Sequence, residues 1–225
     1  MKEQEIYSWK DCTLSPVTLK ADRIFPGLIR KLEILGSAWP LLGKAYHRLF
    51  YAGMLKYEIS CSRVMPGMHV MHVGCGPLPM TAMELARQGL RVTAADLEPE
   101  ALARAEKVLI RAGLEDRVRL LNACGTKLDF SVYDAVWLSL HVRPMDRILE
   151  RAMHMVRPGA RIVFRDPRKI LCRYYPPADK KLQFKGFQCM RKNQILSKKS
   201  VVLIKNLNLA FRNMDSKSDN FQKTA

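Results

Sequence analysis

The sequence predicts an α/β protein: a doubly wound, mostly parallel sheet with an antiparallel C-terminal hairpin and a helical N-terminal cap. Three observations predict it. From residue 69 onward, short apolar runs alternate with amphipathic segments in βαβα order. Two glycines spaced by one residue, Gly74 and Gly76, follow directly on the first apolar run. Glycines let a backbone turn sharply and approach a ligand closely. An acidic residue, Asp96, closes the second apolar run, twenty positions after Gly76.

The elements follow in order. Residues 1–65 read as helical, interrupted at Pro16, Pro26-Gly27 and Pro40. Gly43 to Val64 is the longest helix there, and Pro66-Gly67 ends it. His69 to Val73 reads as a strand and Pro79 to Gln88 as a helix. Arg91 to Asp96 is the next strand, and Pro99 to Ala112 a helix closed by Gly113. Val118 to Asn122, Tyr133 to Leu140 and Arg161 to Arg165 are further strands, with a helix over Pro144 to Val156 between the last two. Gly186 to Met190 and Ser200 to Asn206 read as the antiparallel finish. The expected division is a cap over 1–65, a ligand-binding α/β domain over 66–212 and a flexible tail over 213–225.

Composition narrows the function classes. A 48% hydrophobic chain of 225 residues supports a sizeable core. No apolar run approaches the ~20 residues of a membrane helix, and the first ten residues carry no apolar signal core. Six cysteines lack any C-x-x-C pair, so the sequence predicts no zinc cluster and reduced thiols in a cytoplasm. The net charge of +17 is uneven: residues 167–225 carry 14 Lys and Arg against 3 Asp and Glu. That excess suggests either a solvated face or a nucleic-acid surface through Lys180, Lys181, Lys198 and Lys199, but it lacks the interleaved aromatics of a base-stacking platform.

The glycine turn points to a nucleoside ligand, with Asp96 placed to take a ribose diol. The turn continues Pro77-Leu78-Pro79, so the third glycine of a dinucleotide fingerprint is missing. A pyrophosphate needs free N–H groups at the helix N-terminus, and each proline removes one. That disfavours NAD and FAD, and no Gly-Lys-Ser/Thr is present for a P-loop. S-adenosylmethionine (SAM) has no phosphate, and a rigid turn over Gly74, Cys75, Gly76 and Pro77 suits it. Ligands lie outside the C-terminal strand ends. There the third strand offers Asn122, Ala123 and Cys124 for adenine, and the fourth offers Ser139, Leu140 and His141 near the reacting carbon.

These residues carry a family likeness. Gly74-Cys75-Gly76-Pro77-Leu78-Pro79-Met80-Thr81 resembles the Gly-x-Gly-Pro-Leu-Pro-Leu-Thr loop of the nicotianamine synthase family. Asp96-Leu97-Glu98-Pro99 resembles that family's acidic turn after the second strand. Arg161 to Arg165 with Tyr175 to Pro177 resembles its fifth strand and following loop, and Tyr51 to Glu58 its tyrosine-rich helix. The resemblance covers residues 45–205. It implies a SAM-dependent methyltransferase-like Rossmann fold that transfers the 3-amino-3-carboxypropyl arm of SAM, not the methyl, to an amine. It also implies Leu78, Thr81 and Leu97 beside the cofactor.

The nucleophilic amine must lose a proton. The resemblance implies Glu58 as the acceptor, and spacing supports it: His47, Tyr51, Met54 and Glu58 share one helix face. Tyr51, Tyr175 and His141 are the further candidates. Near Gln88-Gly89 the chain lacks a tyrosine the family pattern would have. Arg143 and Arg165 offer a guanidinium fork for a substrate carboxylate.

The leading expectation is therefore an aminocarboxypropyl transferase acting on a small amine or amino acid. It would release methylthioadenosine and make a metallophore-like product. Cyclisation of SAM to azetidine-2-carboxylate, small-molecule methyl transfer, and RNA binding or modification are the alternatives.

Overall fold

The computed structural model describes residues 51–178, 182–195 and 198–207, with 31, 34–39 and 48–49. Most of the expected cap over 1–65, including His47, lies outside the described residues, as do Lys180, Lys181 and the tail over 213–225.

Five runs pair in parallel: β1 (His69–Val73), β2 (Arg91–Asp96), β3 (Val118–Asn122), β4 (Ala135–Leu138) and β5 (Arg161–Pro167). A hairpin of β6 (Phe187–Asn193) and β7 (Lys198–Lys205) completes a seven-stranded sheet in the order β3-β2-β1-β4-β5-β7-β6. Strand β7 lies antiparallel between β5 and β6. The central strands are apolar along their length because helices cover both faces. Val70, for instance, sits between Val92 and Ala135, all buried.

One face is covered by α1 (Ala52–Ser62), α2 (Met80–Arg87) and α3 (Pro99–Ala112), which contribute Leu55, Leu85 and Leu109 to a cluster with Trp137 and Val202. The other is covered by α4 (Met145–Met155), whose Ile148 and Leu149 pack with Phe130, Val136 and Phe164. Helix α3 begins at Pro99, whose fixed φ suits a first helical residue, and ends at Gly113 with φ +62. Among the described residues, no helix is long and apolar enough to cross a membrane.

Sequence and structure differ at the strand ends, for physical reasons. Strand β4 is shorter than Tyr133 to Leu140. The Asp134 side chain accepts the His69 N–H at 2.8 Å at the start of the strand, and Ser139-Leu140 turn out of the sheet. Strand β5 runs two residues further than Arg165, because Asp166 and Pro167 pair with Lys199 and Lys198 of β7. Among the described residues, Cys61, Cys75, Cys172 and Cys189 form no disulfide.

Candidate functional site

Strands β1 and β4 are neighbours although β2 and β3 intervene in sequence, so the chain reverses direction across the sheet between them. Loops diverge at such a switch point and leave a crevice at the C-terminal strand ends. A cavity of about 330 Å³ occupies it.

The glycine turn forms one wall. Gly74 donates its N–H to the Ala95 carbonyl at 2.8 Å, and the Gly76 N–H reaches Asp96 Oδ2 at 2.8 Å. The other oxygen of Asp96 accepts the Glu98 N–H at 3.1 Å. Asp96 thus fastens the turn to the end of β2, with one acceptor site on each oxygen left for a ligand hydroxyl. The side chain of Asn122 holds the carbonyls of Asp96 and Leu97, each at 3.1 Å, and so fixes the acidic turn from below. Gly74, Cys75, Gly76, Pro77, Leu78, Thr81, Asp96, Leu97, Ala123, Ser139 and Leu140 all line the cavity. Cys124 does not: it is buried behind the wall with its sulfur 3.0 Å from Thr126 Oγ1, so the adenine role expected of it is withdrawn.

The opposite wall is cationic. Tyr51, at the N-cap of α1, lies on the cavity with Arg165 Cζ 5.6 Å and Lys198 Nζ 5.3 Å from its ring centroid. Arg165 is 4% and Lys198 7% exposed. The β5–β7 register brings Arg165 beside Ser200, and Lys198 is one step further along the same sheet face.

Behind Arg165 stands Glu58, 0% exposed. Its Oε1 accepts Arg165 Nε–H at 3.0 Å and the Ser200 hydroxyl at 2.7 Å. Its Oε2 accepts Arg165 Nη2–H at 2.9 Å and Trp137 Nε1–H at 3.2 Å. A carboxylate has about four acceptor positions, and these four bonds fill them. Glu58 is also not on the cavity wall. This corrects its expected role as proton acceptor: it orients Arg165, whose Nη2 also donates to Thr81 Oγ1 at 3.0 Å. The fork of Arg165 expected to bind a substrate is turned to Glu58 instead.

His141 lines the cavity, and Tyr175 stands behind it with its hydroxyl 2.6 Å from His141 Nδ1. Arg143 reaches over the Tyr175 ring, Cζ 5.2 Å from its centroid, and donates to the Tyr174 carbonyl. Burial, then the charges of Lys198, Arg143 and Arg165, push the His141 pKa down to about 4.

Lys198, Glu98 and His72 on the wall escaped sequence reasoning. The first was grouped with a charge run, the second stood in the shadow of Asp96, and the third fell inside an apolar strand. Lys198 faces the cavity, and Lys199 pairs with Asp166 at 3.3 Å.

His72 bonds Ser139 Oγ through Nε2 at 3.0 Å, and its buried Nδ1 meets no partner among the described residues. Burial, then Arg165, push its pKa down to about 3. Between pH 6.5 and about 3 the unfolded chain therefore binds a proton that the folded chain refuses, so stability falls as pH drops through this window. His141 is exposed to solvent whereas His72 is 2% exposed, so His72 dominates. The urea midpoint is expected to fall from pH 7.5 to pH 5, and to fall less in His72→Gln. Equal falls in the two proteins would remove His72 from the explanation.

Comparison with known proteins agrees with this architecture. A family model described as a methyltransferase domain matches residues 70–159. The ubiquinone/menaquinone biosynthesis C-methyltransferase UbiE of Idiomarina loihiensis is 25% identical over 147 residues, 62% of this chain and 56% of that protein. The chain thus spans little more than half the length of this curated relative. A mutant of the nicotianamine synthase MtNAS, solved in complex with S-adenosylmethionine, aligns with a TM-score of 0.70 and 23% identity over 82% of this chain and 76% of that one. An RNA methyltransferase from Salinibacter ruber, in complex with S-adenosyl-L-homocysteine, gives a TM-score of 0.53 and 16% identity over 69% of this chain and 92% of that one. The chain has a SAM-dependent methyltransferase-like fold.

Proposed function

We propose that this protein is a SAM-dependent transferase that moves the 3-amino-3-carboxypropyl group of SAM to a small amine or amino acid. The observation that carries the reading is the Gly-Cys-Gly-Pro-Leu-Pro turn, tied to Asp96 on one side of a cavity and faced by a phenol flanked by two cations on the other. Two prolines in the turn leave too few N–H donors for a pyrophosphate, while Asp96 keeps acceptor sites for a ribose diol. Those features fit SAM better than a dinucleotide. The family likeness of the turn, and the higher TM-score against MtNAS than against the RNA methyltransferase, support transfer of the larger arm.

Bound SAM supplies an electrophilic carbon next to a sulfonium, and bond cleavage there leaves a neutral thioether. The chain's part is placement and proton removal. Asp96 would hold the ribose and so fix where the sulfur lies. Tyr51 would take the proton of the attacking amine, since its ring lines the cavity beside the two cations. Glu58 would keep Arg165 beside that ring. His141, steadied by Tyr175, would stay neutral and offer a hydrogen bond near the reacting carbon.

Methyl transfer is the second reading, favoured by the methyltransferase family model over residues 70–159. Incubation with SAM, alone and then with candidate amino acids, separates the two. Methylthioadenosine is the expected coproduct, and S-adenosylhomocysteine would replace our reading by methyl transfer. Methylthioadenosine formed with no acceptor would assign cyclisation. Tyr51→Phe should lower turnover by about 100-fold, the usual worth of a positioned proton acceptor, with SAM affinity within a few-fold. Unchanged turnover would remove Tyr51 from this role.

A further inference from the structure

The cavity is electrically polarised. Its wall holds two carboxylates, Asp96 and Glu98, both at the β2 end, and three cations, Arg143, Arg165 and Lys198, all beyond β4. Strands β2 and β5 are three strand spacings apart, about 14 Å. Arg165 and Lys198 share the Tyr51 ring as a common floor. Arg165 is held in place before any ligand arrives, by two hydrogen bonds to Glu58 and one to Thr81. Lys198 is fixed by the first residue pair of β7 with β5, opposite Pro167. A recessed site of one sign draws and concentrates ligands of the other.

We propose that Lys198 holds a carboxylate at the end of the cavity opposite Asp96, while Arg165, its fork engaged by Glu58, lends that end charge without binding the ligand directly. This carboxylate clamp rests on the reading that the cavity takes SAM. Its ligand is a carboxylate, supplied either by the α-carboxylate of SAM itself or by the acceptor. The electrostatic layout then orients the ligand along the cavity, with the ribose at the acidic end and the carboxylate at the basic one. Lys198 also gives the basic C-terminal quarter a role inside the fold: it is one of the 14 Lys and Arg of residues 167–225, and it faces the ligand rather than solvent.

Calorimetric titration with SAM and with decarboxylated SAM, which differ by the carboxylate alone, tests the clamp first on the unmodified protein. If the clamp holds the carboxylate of SAM, decarboxylated SAM should bind about 10–100-fold more weakly, the equivalent of one charge-assisted hydrogen bond. Lys198→Met should lower SAM affinity by a similar factor and leave decarboxylated SAM unaffected, which also certifies that the variant folds. Lys198→Arg should recover most of the loss. If the two ligands bind the unmodified protein alike, SAM is not the source. Glycine titrated into the SAM-saturated protein should then bind saturably, and Lys198→Met should abolish that binding. Equal binding of both SAM forms together with no glycine binding overturns the clamp while leaving SAM binding intact. Failure of both SAM forms to bind overturns the proposed function itself.

Discussion

Replacing Gly74 with alanine is expected to cost both stability and SAM binding. Gly74 has φ +77, and a Cβ there would lie 2.5 Å from Val142 Cγ2 and 3.4 Å from Ser139 Cβ. The left-handed backbone costs a residue with a Cβ about 1–2 kcal/mol, and forcing a methyl into a packed wall adds about 1–3 kcal/mol. The chain can relieve the clash only by moving the turn or the Ser139–Val142 segment. Either movement spoils the Gly76–Asp96 bond or the β4 side of the cavity. Urea unfolding should show a loss in this range, and calorimetry a SAM affinity reduced at least 10-fold. A variant with native midpoint and native affinity would mean that the turn is not the binding element. Cys75→Ala, at the next residue of the same loop, is the matched control for loop chemistry without loop strain.

Glu58 carries the second large effect. Removing one partner of a buried ion pair strands the other charge, at about 3–5 kcal/mol. Glu58→Ala should therefore destabilise the fold by that amount, since Arg165, Ser200 and Trp137 all lose their acceptor. A proton acceptor and an orienting group differ in a double-mutant cycle. If Glu58 acts through Arg165, Glu58→Gln combined with Arg165→Met should lose little more turnover than Arg165→Met alone. Losses that multiply would show that Glu58 acts on the substrate independently and would restore the role expected from its helix face.

That expectation shows how far a sequence argument reaches. The spacing of Tyr51, Met54 and Glu58 placed them on one face of α1, and all three are buried. Periodicity identifies the face but not what lies against it. Facing Glu58 are Trp137, Arg165 and Ser200, which are 79, 107 and 142 positions away. Their meeting depends on β4, β5 and β7 lying side by side, and on β7 running antiparallel at a register that pairs Ser200 with Arg165. A one-residue slip of β7 would turn Ser200 and Lys198 to the other face. Cys124 failed for a similar reason: the end of β3 was identified, but the direction of a single side chain after a strand is set by the packing around it.

The order of the elements, the glycine turn and the acid that fastens it are legible in the residues alone. All of these follow from local periodicity, backbone restriction and short-range hydrogen bonding. Tertiary structure alone decided which polar groups face the cavity and which stand behind it. Glu58 was turned from proton acceptor into an anchor and Lys198 from a surface charge into a wall residue, because buried charges take their meaning from partners far away in sequence. A polar side chain declares its chemistry in the sequence. Whether it spends that chemistry on the fold or on a ligand is fixed only once the strands have found their neighbours.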